Sequence, residues 1–463
     1  MTTTETRPPP TASTTPVQWV RDSLFPNVSS GIVTLVLLPV IVYAAYRVVL
    51  FVVVNGRWEV VERNLTLFMQ GTFPRDEQWR IVAQVMLMAL ALGVGVSTAG
   101  AAAADRAREA GLPVTRENPV QAARRFSPVI FFVLVLLYFA NTVTPWLVVG
   151  AAVAVALLGT TARFLPASIR NLGWTIVVLA MIAGFQVVSG TTGRSWLLPA
   201  IVVAAGVWTT VKLDGLEPWP RRAARFGLAA LAAGAVFAIY SLVQLPGIGW
   251  DQWSGLHLTL WVSALAIVLS FPLGLLLALA RRSTLPALRA LATGYIELIR
   301  GVPLITLLFM GQFILPFMLP AGSALSSISR AIAAMTLFTA AYVAEIVRGG
   351  LQSLPYGQTE AAQALGLSPA KSMRLIILPQ ALRAVIPAMV GQFISIFKDS
   401  SLLFILAINE FLGVRSLVHA QADFRSIAHA ETLVFVAVGY WAFAYAMSRE
   451  SQRLERRLRV GST

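Results

Sequence analysis

The stretch EAAQALGLSPAKSMRLIILP, Glu360 to Pro379, decides how this chain is organised. Strongly apolar runs flank it, yet it consists mainly of small, basic and amide residues. Pro355 and Gly357 break the preceding apolar run. Residues 358–365 are good helix formers, and Gly366 suits a helix stop. Ser368 is placed to act as an N-cap with Pro369 at the first helical position, and Pro379 limits the second helix near Leu378. The pattern predicts helix, glycine hinge, helix. Met373, Ile376 and Ile377 share one face at helical spacing, with Lys371 and Arg374 elsewhere. Two readings stand side by side: an apolar patch that docks a partner, or a connector that packs on its own bundle.

The chain around it is built for lipid. Of 463 residues, 57% are hydrophobic and 12% charged, where a soluble domain carries about 25% charged residues. No water-soluble core hides that much apolar sequence, so membrane insertion is expected. The absence of cysteine excludes disulfides, cysteine-ligated metals and thiol nucleophiles. His257, His419 and His429 are not at metal-ligand spacing and are expected to be interfacial polar residues. The net charge of +15 is carried almost wholly by arginine. Such a charge is compatible with nucleic-acid binding, but the arginines cluster at the ends of apolar runs, so membrane lipid is the expected partner and nucleic acid is not. The first 16 residues read as a disordered tail without the pattern of a cleaved signal peptide.

Runs of roughly 20 apolar residues are the unit of a helical membrane protein. Seven are read in the first half, at about 31–54, 81–104, 128–144, 146–162, 172–189, 195–211 and 226–244. Thr142, Thr144 and Pro145 suit a tight turn between the pair at 128–162, with one long helix as the alternative. Five follow, at about 257–280, 301–319, 331–348, 384–408 and 430–447. The expectation is an all-α polytopic membrane protein of about 12 transmembrane helices, with both termini on one side. With the termini cytoplasmic, the inside segments hold 26 of the 36 Lys and Arg residues and the outside loops hold 8. That asymmetry favours this topology and puts Glu360–Pro379 in the cytoplasm. The expected domains are a tail at 1–30, an N-terminal membrane region at 31–250, a core at 251–450 containing the loop 349–383, and a basic tail at 451–463.

The loop carries a resemblance. Glu360, Ala361 and Ala362, then Gly366, then Ile376, Leu378 and Pro379 resemble the cytoplasmic loop of importer-type ABC permease subunits. The segments YIELIRGVPLI (Tyr295–Ile305), AAYVAEIVRGGLQSLPYGQTEAAQALG (Ala340–Gly366) and FKDSSLL (Phe397–Leu403) are similar to the polar amino-acid permeases, and the long N-terminal half is similar to the larger permease subunit of general L-amino-acid transporters. The resemblance covers about residues 257–450 and implies a five-helix permease core. It further implies that Glu360, Ala361, Ala362, Gly366, Lys371, Arg374, Ile376, Leu378 and Pro379 dock and couple to a separate ATPase. The implied partners are two ABC ATPase subunits carrying ATP and Mg, a second permease subunit, and a periplasmic amino-acid-binding protein. The implied place is the bacterial inner membrane and the implied cargo L-amino acids. Val302 stands where the family often has Thr.

Polar residues within spans mark candidate pathways, because charge in a bilayer is costly. Lys398, Asp399, Ser400 and Ser401 read as lining a substrate path, with Glu345, Gln312 and Gln392 as further candidates. A Lys/Asp pair offers charges complementary to a zwitterionic amino acid. It equally reads as a salt bridge locking helices together, with the serines bonding between helices. Glu345 and Arg348 read also as an interfacial ion pair. No Walker run, nucleophile–base constellation or His-Glu-x-x-His occurs, so no catalytic residue, bound cofactor or metal is expected on this chain. An ion-coupled secondary transporter and a non-transporting membrane scaffold are the alternatives.

Overall fold

A computed structural model gives the protein's structure and describes residues 16–109, 145–164, 252–319, 325–425 and 427–459, with isolated positions at 111, 134, 138, 248 and 249. Most of the described residues are helical, and among them no strand forms beyond an isolated bridge between Gly255 and Glu410. Two compact units divide between Glu59 and Val60.

The first unit holds α1 (Pro16–Leu24) and α2 (Val28–Leu50), which runs on through a π-turn at Phe51–Asn55. Asn27 caps α2, its side-chain oxygen accepting from Ser30 N at 2.8 Å. No residue of α2 is buried by protein. A helix apolar on all sides with no protein cover is suited to lipid. Arg47 donates to the Tyr43 hydroxyl one turn back at 2.9 Å, which satisfies part of its guanidinium within the helix.

The second unit begins with α3 (Glu59–Arg63), α4 (Leu65–Gln70) and α5 (Gln78–Glu109). Next among the described residues is α6 (Pro145–Gly159), packed along α5. The C-terminal bundle comprises α7 (Gly255–Ala280), α8 (Pro286–Gly301), α9 (Leu304–Phe309), α10 (Leu315–Met318) and α11 (Ser327–Gln352). It continues with α12 (Gly357–Ala364), α13 (Pro369–Ser372), α14 (Leu378–Asp399), α15 (Val414–Ala420) and α16 (His429–Arg459). Helix α7 packs along α11, α11 along α14, and α14 along α16. Two glycines permit close crossings in this bundle. A Cβ on Gly274 would lie 2.7 Å from Ala340 O, and one on Gly350 2.8 Å from Ala381 O. Small residues at crossings are how membrane helices gain packing where the hydrophobic effect between them is weak.

Among the described residues, five helices suffice by length and composition to cross a membrane: Val28–Asn55, Gly255–Ala280, Ser327–Gln352, Pro369–Leu406 and His429–Arg449. Two expected boundaries differ. The run at 301–319 is not one straight span with a loop before it. Residues 286–301 are already helical, and the helix pair Pro286–Gly301 and Leu304–Met318 bends by 105°. Pro303 is the cause: it forces Val302 into an extended conformation (φ −108°, ψ 135°) and ends α8. Likewise Pro379 does not end a helix. The chain stays helical from Pro369 to Leu406 because a π-turn at Met373–Ile377 precedes the proline. The wider turn accommodates a residue that has no N–H to donate. The runs expected at 172–189, 195–211 and 226–244, and nearly all of 128–144, lie outside the described residues.

Candidate functional site

The polar features gather at the two ends of the bundle. At one end lie α12, α13 and the start of the Pro369–Leu406 helix. Gly366 has φ +72°, and the chain closes α12 there with two backbone bonds, Gly366 N to Gln363 O at 2.9 Å and Leu367 N to Ala362 O at 3.1 Å. That pair of bonds with a left-handed glycine is the Schellman stop. Ser368 adopts the extended N-cap backbone before Pro369, although its hydroxyl caps nothing. Gln380 donates to Gln358 Oε1 at 3.2 Å and so ties α12 to α14.

Burial sorts the residues of this element. Ala362, Ser372 and Ile377 are buried, and Met373, Ile376 and Leu378 pack against a core cluster of Ala278, Ile296, Val347 and Ala381. Glu360, Ala361, Gly366, Lys371, Arg374 and Pro379 face outward. The exposed apolar side chains are others: Tyr356 at 74% exposure, Leu365 at 78% and Leu375 at 60%. Thus the face of Met373, Ile376 and Ile377 is the anchor to the bundle, and the outward patch is one that helical periodicity missed. Its signal was present, since Leu365 and Leu375 interrupt small or basic neighbours.

Glu345 lies beside this end as the hub of an ion cluster. It accepts from Arg281 at 2.5 Å and from Arg348 at 2.8 Å, and Arg300 lies 3.4 Å away. Arg281 also donates to Glu297 at 3.0 Å. The cluster joins the end of α7 to α8 and α11. Sequence spacing paired Glu345 with Arg348 but not with the two arginines distant in the chain.

At the other end α14 finishes at Asp399, and Ser400–Leu406 forms a 3₁₀ turn. Lys398 is exposed and Asp399 half-buried, and no ion pair joins them. Ser401 and Gln392 are half-buried. Ser400 is fully buried, donating to Phe397 O at 2.6 Å and lying 3.3 Å from the Tyr440 hydroxyl. Gln312 bonds Ser327 and Arg330 rather than facing a path alone. Sequence reading missed Glu410, a carboxylate in a short apolar segment between two spans. Its side chain is wholly buried and accepts from Tyr440 at 2.7 Å, Leu412 N at 2.9 Å, Gly413 N at 2.8 Å and Thr259 at 3.3 Å.

Helix α4 closes over this same end. Phe68 is fully buried and meets Phe435 edge-on at 5.0 Å and Phe411 at 6.3 Å between ring centres. Gln421 donates to Asn64 at 2.7 Å, and Thr72 N to Ser254 at 2.7 Å. His257 is buried rather than interfacial, 3.0 Å from Gln84 of α5 and against Trp253. His419 and His429 stack at 3.9 Å.

The described residues thus combine membrane-length helices, a helix pair broken at a proline and an exposed two-piece helical element at one end. The chain belongs to the family of binding-protein-dependent transport system inner membrane components, whose model matches residues 270–460. It is a multi-pass membrane protein of that family, related to the polar amino-acid ABC permeases. It is 46% identical over 213 residues to the inner membrane amino-acid ABC transporter permease protein YhdY of Escherichia coli, which is 46% of this chain and 58% of YhdY. It is 44% identical to the glutamate/glutamine/aspartate/asparagine transport system permease protein BztC of Rhodobacter capsulatus, over 47% of this chain and 50% of BztC. The chain thus matches only about half the length of these two relatives. The probable glutamine ABC transporter permease protein GlnP of Bacillus subtilis is 37% identical, over 44% of this chain and 91% of GlnP. A solved amino acid ABC transporter crystallised with histidines is 30% identical, covers 43% of this chain and 90% of its own, and has a TM-score of 0.40.

Proposed function

We propose that this chain is the membrane subunit of an ABC importer for L-amino acids in the inner membrane, driven by two separate ATPase subunits that hold ATP and Mg. The observation that carries the reading is the build of the 355–379 element. One side of it is anchored in the bundle through Ile376, Ile377 and Leu378. The other side offers Tyr356, Leu365 and Leu375 beside the exposed Glu360. A lever needs both a rigid root and an adhesive outer face. The printed names of the relatives, which are amino-acid, glutamine and glutamate permeases, support the cargo class.

In this reading Gly366 lets the two pieces meet at an angle, and both termini lie in the cytoplasm with the coupling element. Residues 31–250 complete a set of about 12 spans, and residues 251–450 form the permease core. A second permease subunit completes the path, and a periplasmic binding protein delivers cargo at the α4 end. Lys398, Asp399, Ser400 and Ser401 lie at that delivery end, with Gln392 further along α14. Asp399 and Lys398 serve an arriving amino acid singly, because they do not pair with each other. Co-purification of the full chain from membranes tests the reading: an ATPase subunit should accompany it, and a complex without one removes the proposal.

A further inference from the structure

Glu410 has no role in the coupling described above, yet it is the most completely enclosed carboxylate among the described residues. It is 0% exposed. All four of its donors are neutral: the Tyr440 hydroxyl, the Thr259 hydroxyl and the N–H groups of Leu412 and Gly413. A carboxylate buried without a cation pays the full desolvation cost of its charge. Burial pushes the Glu410 carboxyl up to about 7, against the pull of these donors.

The neighbouring elements bring charged groups, but none is bonded to it. On α7, His257 faces Gln84. On α15, Arg415 is spent on Thr432 at 3.0 Å and His429 O at 3.2 Å, and His419 on Thr432 and Phe424 O. Burial holds the His419 imidazole below its usual value. Lys398 and Asp399 lie beyond Ser400 at the end of α14, and Glu431 stands at the start of α16, where His429 stacks on His419. Helix α4 brings no charged residue.

The proton inventory of three side chains then becomes decisive. With Glu410 ionised, Tyr440 gives its only proton to the carboxylate at 2.7 Å. Ser400 gives its only proton to Phe397 O at 2.6 Å. The 3.3 Å contact between Ser400 and Tyr440 is then left with two oxygens and no proton between them. With Glu410 protonated, the carboxyl donates to Tyr440, Tyr440 turns its proton to Ser400, and the empty contact becomes a hydrogen bond. In each state every donor has an acceptor, which buried polar networks require. We infer that Glu410 is a proton-binding site, and that Tyr440 and Ser400 form a relay whose hydrogen-bond direction is set by that proton. Proton binding draws the loop after α14, the end of α14 and α16 together through Ser400. It places the neighbouring Asp399 and Ser401 under the control of pH.

Infrared difference titration of the purified full chain tests this without any substrate or ATPase, so its failure is separate from failure of the import reading. The probe is the proton itself, followed by the carbonyl stretch of a protonated carboxyl between about pH 5 and about pH 9. A band titrating near neutrality and lost in Glu410→Gln is expected. Tyr440→Phe removes a partner from both forms, but the charge-assisted bond to the ionised form is the stronger, so the titration should move up by about one pH unit. Ser400→Ala removes the acceptor needed only by the protonated form, so it should move down. Opposite shifts carry the relay, and they remain readable if Glu410→Gln fails to fold. A band that survives Glu410→Gln, a carboxyl ionised throughout the range, or shifts of the same sign would overturn the inference.

Discussion

Arg281, the residue that ends α7, donates to Glu345 of α11 at 2.5 Å, and the same carboxylate holds Arg348 and Arg300. Helices that meet lipid on one side and each other through small residues gain little from apolar burial between them. The ion cluster supplies a directional lock beside the 355–379 element. Removing the hub's charge takes the shared carboxylate from three guanidinium groups, leaving Arg281 with Glu297 and Arg348 with Gln352, whereas removing Arg281 leaves Glu345 two partners. Glu345→Gln should therefore lower stability by about 1–3 kcal/mol and Arg281→Gln by less. Thermal unfolding in detergent measures both, and equal losses would contradict the hub.

Gly350 and Gly349 make an internal control for the α11–α14 crossing. A Cβ on Gly350 would come within 2.3 Å of Val385 Cγ1 and 2.8 Å of the Ala381 carbonyl oxygen, whereas one on Gly349 meets nothing within 4 Å. Gly350→Ala should cost about 1–3 kcal/mol through overpacking. Gly349→Ala should be neutral or slightly stabilising, as alanine is the better helix residue. The yield of monodisperse protein in size exclusion reads the difference.

The two faces of the 355–379 element predict separable defects. Leu365→Asp or Leu375→Asp should abolish co-purification of an ATPase subunit while leaving the unfolding midpoint unchanged, because both side chains already meet solvent. Ile377→Ala should lower the midpoint, costing about 2–5 kcal/mol for a fully buried aliphatic group. If the Leu365 and Leu375 variants bind ATPase normally, the outward patch is not the docking face.

Helix α4 lies outside the part of the chain that matches the family model, yet its Phe68 is buried against Phe411 and Phe435. Phe68→Ala should cost about 3–5 kcal/mol and be felt in the core. Accelerated proteolysis of the 407–428 segment in the variant is the expected readout, with no change as the contrary result.

Much of this was legible in the sequence. Gly366 announced its turn because only a residue without Cβ takes φ +72° cheaply. The runs read from apolar length at 257–280, 331–348 and 430–447 fall within the helices Gly255–Ala280, Ser327–Gln352 and His429–Arg449. Proline was harder to read. Pro303 and Pro379 are alike in sequence, yet one breaks a helix and the other rides a π-turn. Glu410 and the Arg281–Glu345 pair escaped for another reason. Each depends on residues far apart in the chain, Thr259 and Tyr440 in one case and three helices in the other. A local pattern carries no trace of such partners.

The most direct measurement of the central claim is uptake of radiolabelled L-amino acids into proteoliposomes holding the full chain with its ATPase and permease partners, with binding protein on the cargo side. The account predicts uptake that requires internal ATP and that Leu365→Asp abolishes. Uptake that a proton or sodium gradient drives without ATP, and that Leu365→Asp leaves intact, would contradict it.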